Sequence, residues 1–223
     1  MKKLKNRLYT VLTLVPLGAR VADIGTEHGH LPISLIKAGV SPLVIASDIN
    51  EKPLLSAKMN IQKTSTQHVE LRLGDGLSTI KPREVDCIVV AGMGGEVISS
   101  ILEKCSWIKD ERYTLILQPM TSADALRRYL YDNGFEIKSE VAVEDSGKLY
   151  TVIKAAFCGN YTSKSEAFYR VGRLNPDNPV DRRYIQKQFK IARKCVDDLE
   201  KTNNDASLYK EICSELKLIL GEK

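Results

Sequence analysis

The sequence predicts an α/β chain: a mostly parallel β-sheet covered by helices, closed by an antiparallel hairpin and followed by a helical appendage. Three observations carry that expectation. Short apolar or β-branched runs alternate with helical stretches between Arg20 and Gly134. The alternation then stops, and two longer strand-like runs flank Asp145-Ser146-Gly147. Beyond residue 160 the composition changes again, to long charged segments with helical spacing.

The elements follow in order. Met1 to Arg7 is basic and runs into Leu8–Leu17, which superficially resembles a secretory leader. The apolar run is short, is interrupted by Tyr9, Thr10 and Thr13, and meets no small-residue cleavage site, so it reads as an N-terminal helix. Arg20–Ile24, Leu43–Ser47, Val69–Leu73, Val85–Ala91 and Tyr113–Gln118 read as five strands of a parallel sheet. Helix punctuation lies between them. Pro32 and Pro53 occupy first-turn positions, Gly39 ends one helix, and Gly134 follows Ala123–Asn133. Phe135–Val143 and Lys148–Phe157 then form the hairpin.

Gly159–Ser165 is linker-like, and Arg170–Pro179 is rich in Gly, Asn and Pro. Asp181–Lys201 and Ala206–Leu220 carry apolar residues at three- and four-residue steps, predicting two antiparallel amphipathic helices joined near Thr202–Asp205. The expected organisation is a domain over 1–159 and an appendage over 160–223. Five parallel strands with a terminal hairpin resemble the class I methyltransferase (Rossmann-like) fold, whereas a plain dinucleotide domain continues the βαβ alternation.

Charge is unevenly distributed. Residues 1–20 hold five basic residues and no acid, 21–159 hold 15 basic and 18 acidic, and 160–223 hold 13 basic and 10 acidic. An acidic centre between basic ends suits a polyanionic partner such as RNA. The five cysteines are scattered without a Cys-x-x-Cys pair, as in a reduced cytoplasmic protein, and no run approaches the ~20 apolar residues of a membrane span.

The chemistry concentrates where strands end. Asp23-Ile24-Gly25-Thr26-Glu27-His28-Gly29 lacks the Gly-x-Gly-x-x-Gly that cradles a pyrophosphate, and Asp23 would repel one. S-Adenosylmethionine has no phosphate and carries an ammonium and a sulfonium, which Asp23 favours while Gly25 admits close backbone; the alternative is a ligand-free turn. Asp48, followed by Ile49, ends the second strand and can accept ribose hydroxyls, although Asp48 or Asn50 could instead cap a helix. Gly74-Asp75-Gly76 follows the third strand, where a carboxylate or amide meets the adenine amino group, or where a tight turn suffices. Three acids at three successive strand ends are a stronger signal than any one. Ala91-Gly92-Met93-Gly94-Gly95 ends the fourth strand and suggests backbone contact with cofactor or substrate, or helix–sheet crowding. His28 and His30 have no third ligand in view, so no metal site is expected.

Ala22-Asp-Ile-Gly25, Glu27-His28, Leu31-Pro32, Gly74-Asp-Gly76, Ile88-x-x-Ala91-Gly-Met-Gly-Gly95, Leu115-Ile-Leu-Gln-Pro119 and Gly147-Lys-x-Tyr150 together resemble the bacterial tRNA adenine-22 N1-methyltransferase (TrmK) family. The resemblance covers about residues 5–157 closely and the C-terminal helices more loosely. Where relatives commonly have Ser-Asp-His-Ala-Tyr, this chain has Thr26-Glu-His-Gly-His30, keeping the acid and replacing an aromatic residue by His30.

The resemblance implies methyl transfer from S-adenosylmethionine to N1 of adenine 22 in the tRNA D-arm region. It implies Asp23, Gly25, Thr26, Glu27, His28, Asp48, Ile49, Gly74, Asp75, Gly76, Ala91, Gly92 and Met93 at the cofactor. Gly92, Met93, Gly94, Gln118 and Pro119 are expected around the target base, with His28 and Tyr150 as further candidates. Lys3, Lys5, Arg7, Arg182, Arg183, Lys187 and Lys190 are the expected RNA contacts, and six such contacts would weaken binding about a thousandfold between ~50 and ~200 mM salt. Removing residues 160–223 is then expected to abolish tRNA methylation and spare cofactor binding. A small-molecule methyltransferase and a non-catalytic RNA-binding protein with the same fold are the alternatives. The oligomeric state stays open, with a monomer favoured.

Overall fold

The computed structural model describes Leu4 and residues 6–222. Helix α1 (Asn6–Leu14) precedes β1 (Val21–Ile24), α2 (His30–Lys37), β2 (Val44–Asp48), α3 (Glu51–Lys63), β3 (Val69–Leu73), β4 (Cys87–Gly94), α4 (Gly95–Glu103), β5 (Thr114–Thr121) and α5 (Ala123–Asp132). The hairpin is β6 (Phe135–Asp145) with β7 (Lys148–Phe157), followed by α6 (Glu166–Val171), α7 (Pro179–Lys201) and α8 (Ser207–Leu220).

The seven strands form one sheet in the order β3-β2-β1-β4-β5-β7-β6. Strands β1 to β5 pair in parallel, and β7 runs antiparallel to both β5 and β6. Strand order reverses between β1 and β4, so a crevice opens outside their carboxyl ends. The hairpin turn is Ser146-Gly147, with φ of 53° and 73°. Two successive left-handed residues define a type I′ turn, whose twist matches that of the strands.

Burial explains the central strands. All four residues of β1 are buried, as expected where helices cover both faces. Ala22 and Ile24 share a core with Ile98 and Leu102 of α4 and with Leu126 and Leu130 of α5. Val21 joins Val11 of α1 and Leu31 and Leu35 of α2 on the other face. By strand alternation Asp23 shares Val21's face.

Two expectations are corrected. The fourth strand does not stop at Ala91 but continues to Gly94, its register against β5 shifting between Ala91 and Met93 and again between Met93 and Gly94. Opposite these shifts is Pro119, which lacks an N–H and fits a strand only at such an irregularity. The second correction is α6, six residues long and too short to show a period. Its N-cap is Ser165, whose hydroxyl accepts from Phe168 N at 3.2 Å.

The C-terminal helices build their own core from Ala167, Val171, Tyr184, Ile185, Val196, Ile212 and Leu216, and Ala142 of β6 belongs to it. Asp181 of α7 fastens the two parts. Its carboxylate accepts from Ala142 N on the edge strand at 2.7 Å and from Asn175 N at 3.0 Å. A second fastening lies deeper. Arg127 of α5 pairs with Glu140 of β6 at 2.6 Å, with both side chains fully buried. Its remaining donors reach the carbonyls of Tyr169 (2.7 Å) and Arg170 (3.1 Å) and Thr151 Oγ1 (3.3 Å). Gly172 passes so close that a β-carbon there would strike the Glu140 carboxylate and Arg127 Nε.

Candidate active site

A cavity of about 570 Å³ occupies the crevice at the β1/β4 reversal. The β1–α2 connection forms one wall. Gly25 (φ 77°), Glu27 (φ 52°) and Gly29 (φ 69°) are all left-handed, and Gly25 N and Thr26 N both donate to Ser47 O, at 2.8 and 3.0 Å. The left-handed backbone demands glycine here, and a β-carbon on Gly25 would also force the flexible end of Met93 to swing aside. Asp23 is 4% exposed, and burial, with the negative charge of Asp48 adding to it, pushes its carboxyl up to about 6.

At the end of β2, Asp48 Oδ1 accepts from Asn50 N at 2.9 Å and Oδ2 lies 3.4 Å from Glu27 N. Asn50 makes no side-chain cap, so the turn after Asp48 is held by Asp48 itself. Ile49 is 62% exposed at the cavity mouth. Asp75 pairs with Lys104 of α4 at 3.0 Å, and both side chains stay more than half exposed. His28 Nε2 lies 3.5 Å from Glu27 Oε1. Among the described residues no group of three His, Cys, Asp or Glu could hold a metal.

Every residue expected at the cofactor lines this one cavity: Asp23, Gly25, Thr26, Glu27, His28, Asp48, Ile49, Gly74, Asp75, Gly76, Ala91, Gly92 and Met93. Gly92 bulges (φ 82°) where the register shifts, and turns main chain rather than side chain toward the cavity. The residues expected around a target base divide. Gly92 and Met93 line the cavity, whereas Gly94, Gln118 and Pro119 do not. Gln118 is fully buried behind the wall, its amide donating to Pro119 O at 2.8 Å. Gly94 lies against Thr121 Oγ1, and Gly95 is pressed on the Ser122 carbonyl, which is helix–sheet crowding rather than ligand contact.

The expected RNA contacts also divide. Lys3 and Lys5 lie outside the described residues. Arg7 is not a surface cation: 14% exposed, it lines the cavity and turns inward. Its Nε donates to Asp145 at 2.8 Å and its Nη1 to Gln118 Oε1 at 2.7 Å, while its guanidinium stands 5.5 Å from the Tyr150 ring centroid. Arg182 donates to Leu220 O at 2.9 Å at the end of α8, and Arg183 pairs with Glu144 at 2.7 Å. Lys187 and Lys190 remain exposed on α7. This Arg7 cluster escaped the sequence reading, because its members are scattered between residues 7 and 150 and only the fold brings them together.

The donor set suits a cationic adenosyl ligand. Four carboxylates, Asp23, Glu27, Asp48 and Asp75, surround the cavity, which favours a sulfonium and an ammonium and disfavours a pyrophosphate. Ser47 Oγ is buried there and finds no hydrogen-bond partner among the described residues. Fold and site together define a class I methyltransferase.

The comparisons agree. A methyltransferase-domain family matches residues 4–153. The Bacillus subtilis (strain 168) tRNA (adenine(22)-N(1))-methyltransferase is 40% identical over 154 residues, 69% of this chain and 65% of that protein. The match thus spans just under two thirds of that relative's length. The crystal structure of the B. subtilis m1A22 tRNA methyltransferase TrmK superposes with a TM-score of 0.78 at 32% identity, covering 99% of this chain and 97% of that one. A Streptococcus pneumoniae protein crystallised with S-adenosyl-L-methionine superposes at 0.80 with 31% identity, over 96% and 98% of the two chains. The chain belongs to the tRNA (adenine(22)-N(1))-methyltransferase family.

Proposed function

We propose that this protein transfers a methyl group from S-adenosylmethionine to N1 of adenine 22 in the D-arm region of tRNA. The observation that carries the proposal is the convergence of Asp23, Asp48 and Asp75, from three successive strand ends, on one cavity walled by Gly25 and Gly92. The relatives' names supply the substrate.

In this reading Asp48 accepts the ribose hydroxyls, Asp75 or its neighbouring amides meet the adenine of the cofactor, and Asp23 faces its cationic end. S-Adenosylmethionine, when bound, supplies an electrophilic methyl on a sulfonium. Adenine N1 has an in-plane lone pair and needs no base, so the protein's task is alignment and the exclusion of water. The Gly92–Met93 main chain faces the target base. Arg7 holds the roof of the site, with Gln118 and Asp145 fixing Arg7. A paired N1 must first be exposed, at about a few kcal/mol, so local opening of the RNA is part of binding. The exposed cations of α7, Lys187 and Lys190, meet the RNA backbone. A tRNA substrate places the reaction in the cytoplasm.

The test is methylation of unmodified total tRNA with labelled cofactor, followed by nucleoside mapping. Label recovered as 1-methyladenosine at one D-arm position supports the proposal. Label in another nucleoside, or none, overturns it.

A further inference from the structure

A second cavity of about 260 Å³ lies beside the first, at the seam between the sheet and the C-terminal helices. Its walls come from the β5–α5 connection (Thr121, Ser122), from Tyr150 of β7, and from Arg170 of α6 and Lys187 of α7. It therefore opens on the same side of the sheet as the cofactor crevice. Strand β7 is two places from β4, which is about 10 Å at the usual strand spacing.

The two cavities share a partition. Arg7 lines the first, while its contacts Met120 and Tyr150 line the second. The two cavities are therefore neighbours across this partition.

The second cavity is chemically unlike the first. In the cofactor crevice four carboxylates outnumber two cations, Arg7 and Lys104, each held in an ion pair, whereas here two cations face a single carboxylate, Asp124. Neither Arg170 nor Lys187 makes an ion pair with a carboxylate among the described residues. Most arginines nearby are paired: Arg128 with Glu166, Arg173 with Glu136, Arg183 with Glu144. The Arg170 guanidinium stands 5.4 Å from the Tyr209 ring centroid, a contact that fixes its stem and leaves its donors unmatched by an acid. The remaining polar side chains are hydroxyls and the Gln188 carboxamide, all of which can donate to an anion.

We propose that this seam cavity is a subsite for a phosphodiester of the RNA strand next to the methylated nucleotide, held by Arg170 and Lys187. The inference rests on the tRNA reading above and adds to it a defined place where the appended helices touch the substrate. It also gives those helices a function beyond a diffuse positive field, since the subsite exists only where α6 and α7 meet the β5 and β7 ends.

The test is tRNA affinity of the full chain across a series of salt concentrations, with cofactor affinity measured by calorimetry on the same samples. Arg170→Gln/Lys187→Gln is expected to raise the Kd for tRNA about tenfold and to flatten the slope of log K against log salt by about one, leaving cofactor affinity unchanged. Lys187→Glu is the second variant, at an exposed position, should Arg170→Gln disturb Tyr209; it is expected to weaken tRNA binding further. Lys58→Gln, the loss of one charge on α3 at the opposite end of the sheet, is expected to leave the slope as it is. Wild-type affinity and slope in the seam variants would overturn the subsite while the methyltransferase reading stands. Equal flattening by Lys58→Gln would also overturn it, leaving only a diffuse field. A wild-type chain that binds cofactor but no tRNA would overturn both readings.

Discussion

Arg7 Nη1 donates to Gln118 Oε1 at 2.7 Å, tying the first helix to a side chain that no solvent reaches. The same guanidinium satisfies Asp145, itself only 8% exposed. Arg7→Met removes the partner of a buried carboxylate and of a buried amide together, each worth about 1–3 kcal/mol when left unsatisfied. The expected outcome is an unfolding free energy lower by about 2–4 kcal/mol, read from urea denaturation, and a larger loss in methyl-transfer rate than in cofactor affinity. Arg7→Lys restores the charge but not the fork that reaches several acceptors, and is expected to recover stability only in part. Unchanged melting and turnover in Arg7→Met would remove Arg7 from the architecture of the site.

Gly25 and Met93 form a matched pair. Gly25→Ala meets two obstacles, a left-handed φ of 77° and the Met93 methyl. It is expected to lower cofactor affinity at least about tenfold, because the wall must retreat. Adding Met93→Ala relieves the collision but not the backbone strain, about 1 kcal/mol. The double variant should therefore regain part of the affinity lost by the single one, as read by calorimetry. Additive losses would show that Met93 does not limit the approach.

Asp23 gives the protein a pH signature. Its folded carboxyl titrates near 6, above the ordinary 3.8, because burial disfavours the charge. The folded state thus holds more protons than the unfolded chain between about pH 4 and 6. Its stability contribution is complete below that window and is lost as pH rises through it, by about 3 kcal/mol at neutral pH. Asp23→Asn should flatten the pH dependence of the ligand-free protein's unfolding. A cation in the cavity favours the ionised form, so affinity for S-adenosylmethionine should fall toward tenfold between pH 7 and 5 in the wild type. A wild-type affinity independent of pH across that range would contradict this role.

The buried Arg127–Glu140 pair predicts coupling between the sheet and the C-terminal helices. Breaking such a pair from one side costs about 3–5 kcal/mol, whereas replacing both partners by apolar residues costs much less. Arg127→Met and Glu140→Leu are each expected to lower the denaturation midpoint sharply, and the double variant less than the sum of the two. One cooperative transition should persist throughout. For the same reason, deleting residues 160–223 strips Arg127 of the Tyr169 and Arg170 carbonyls and exposes the Ala142 edge. That truncation should unfold or aggregate rather than leave a clean cofactor-binding domain, so point changes are the sharper test of RNA contact.

Local patterns made most of the sheet legible. Alternation of apolar runs with helix punctuation predicts β1, β2, β3 and the β6–β7 hairpin closely, because each is a contiguous run bounded by turn residues. The cavity was legible for a related reason: Asp23, Asp48, Asp75 and Gly92 all sit at strand ends, and parallel topology brings strand ends together. What stayed hidden depends on distance in the chain. Gln118 looks like a site residue in its motif, yet it supports Arg7, which lies 111 residues away. Arg182 looks like an RNA contact on a charged helix, yet it closes the end of α8. Pairings at such separations leave no period and no local composition.

The Arg127 cluster has a consequence for synthesis. Arg127 and Glu140 leave the ribosome well before their last acceptors, since Tyr169 follows Arg127 by 42 residues. Domains fold as they emerge, amino-terminal part first. The nascent sheet therefore holds a charge pair with two guanidinium donors unanswered until α6 emerges. The last acceptors of this pair arrive with α6, the helix that carries Arg170. A chain that ends before residue 169 therefore leaves the buried Arg127 with two donors and no carbonyls to meet them.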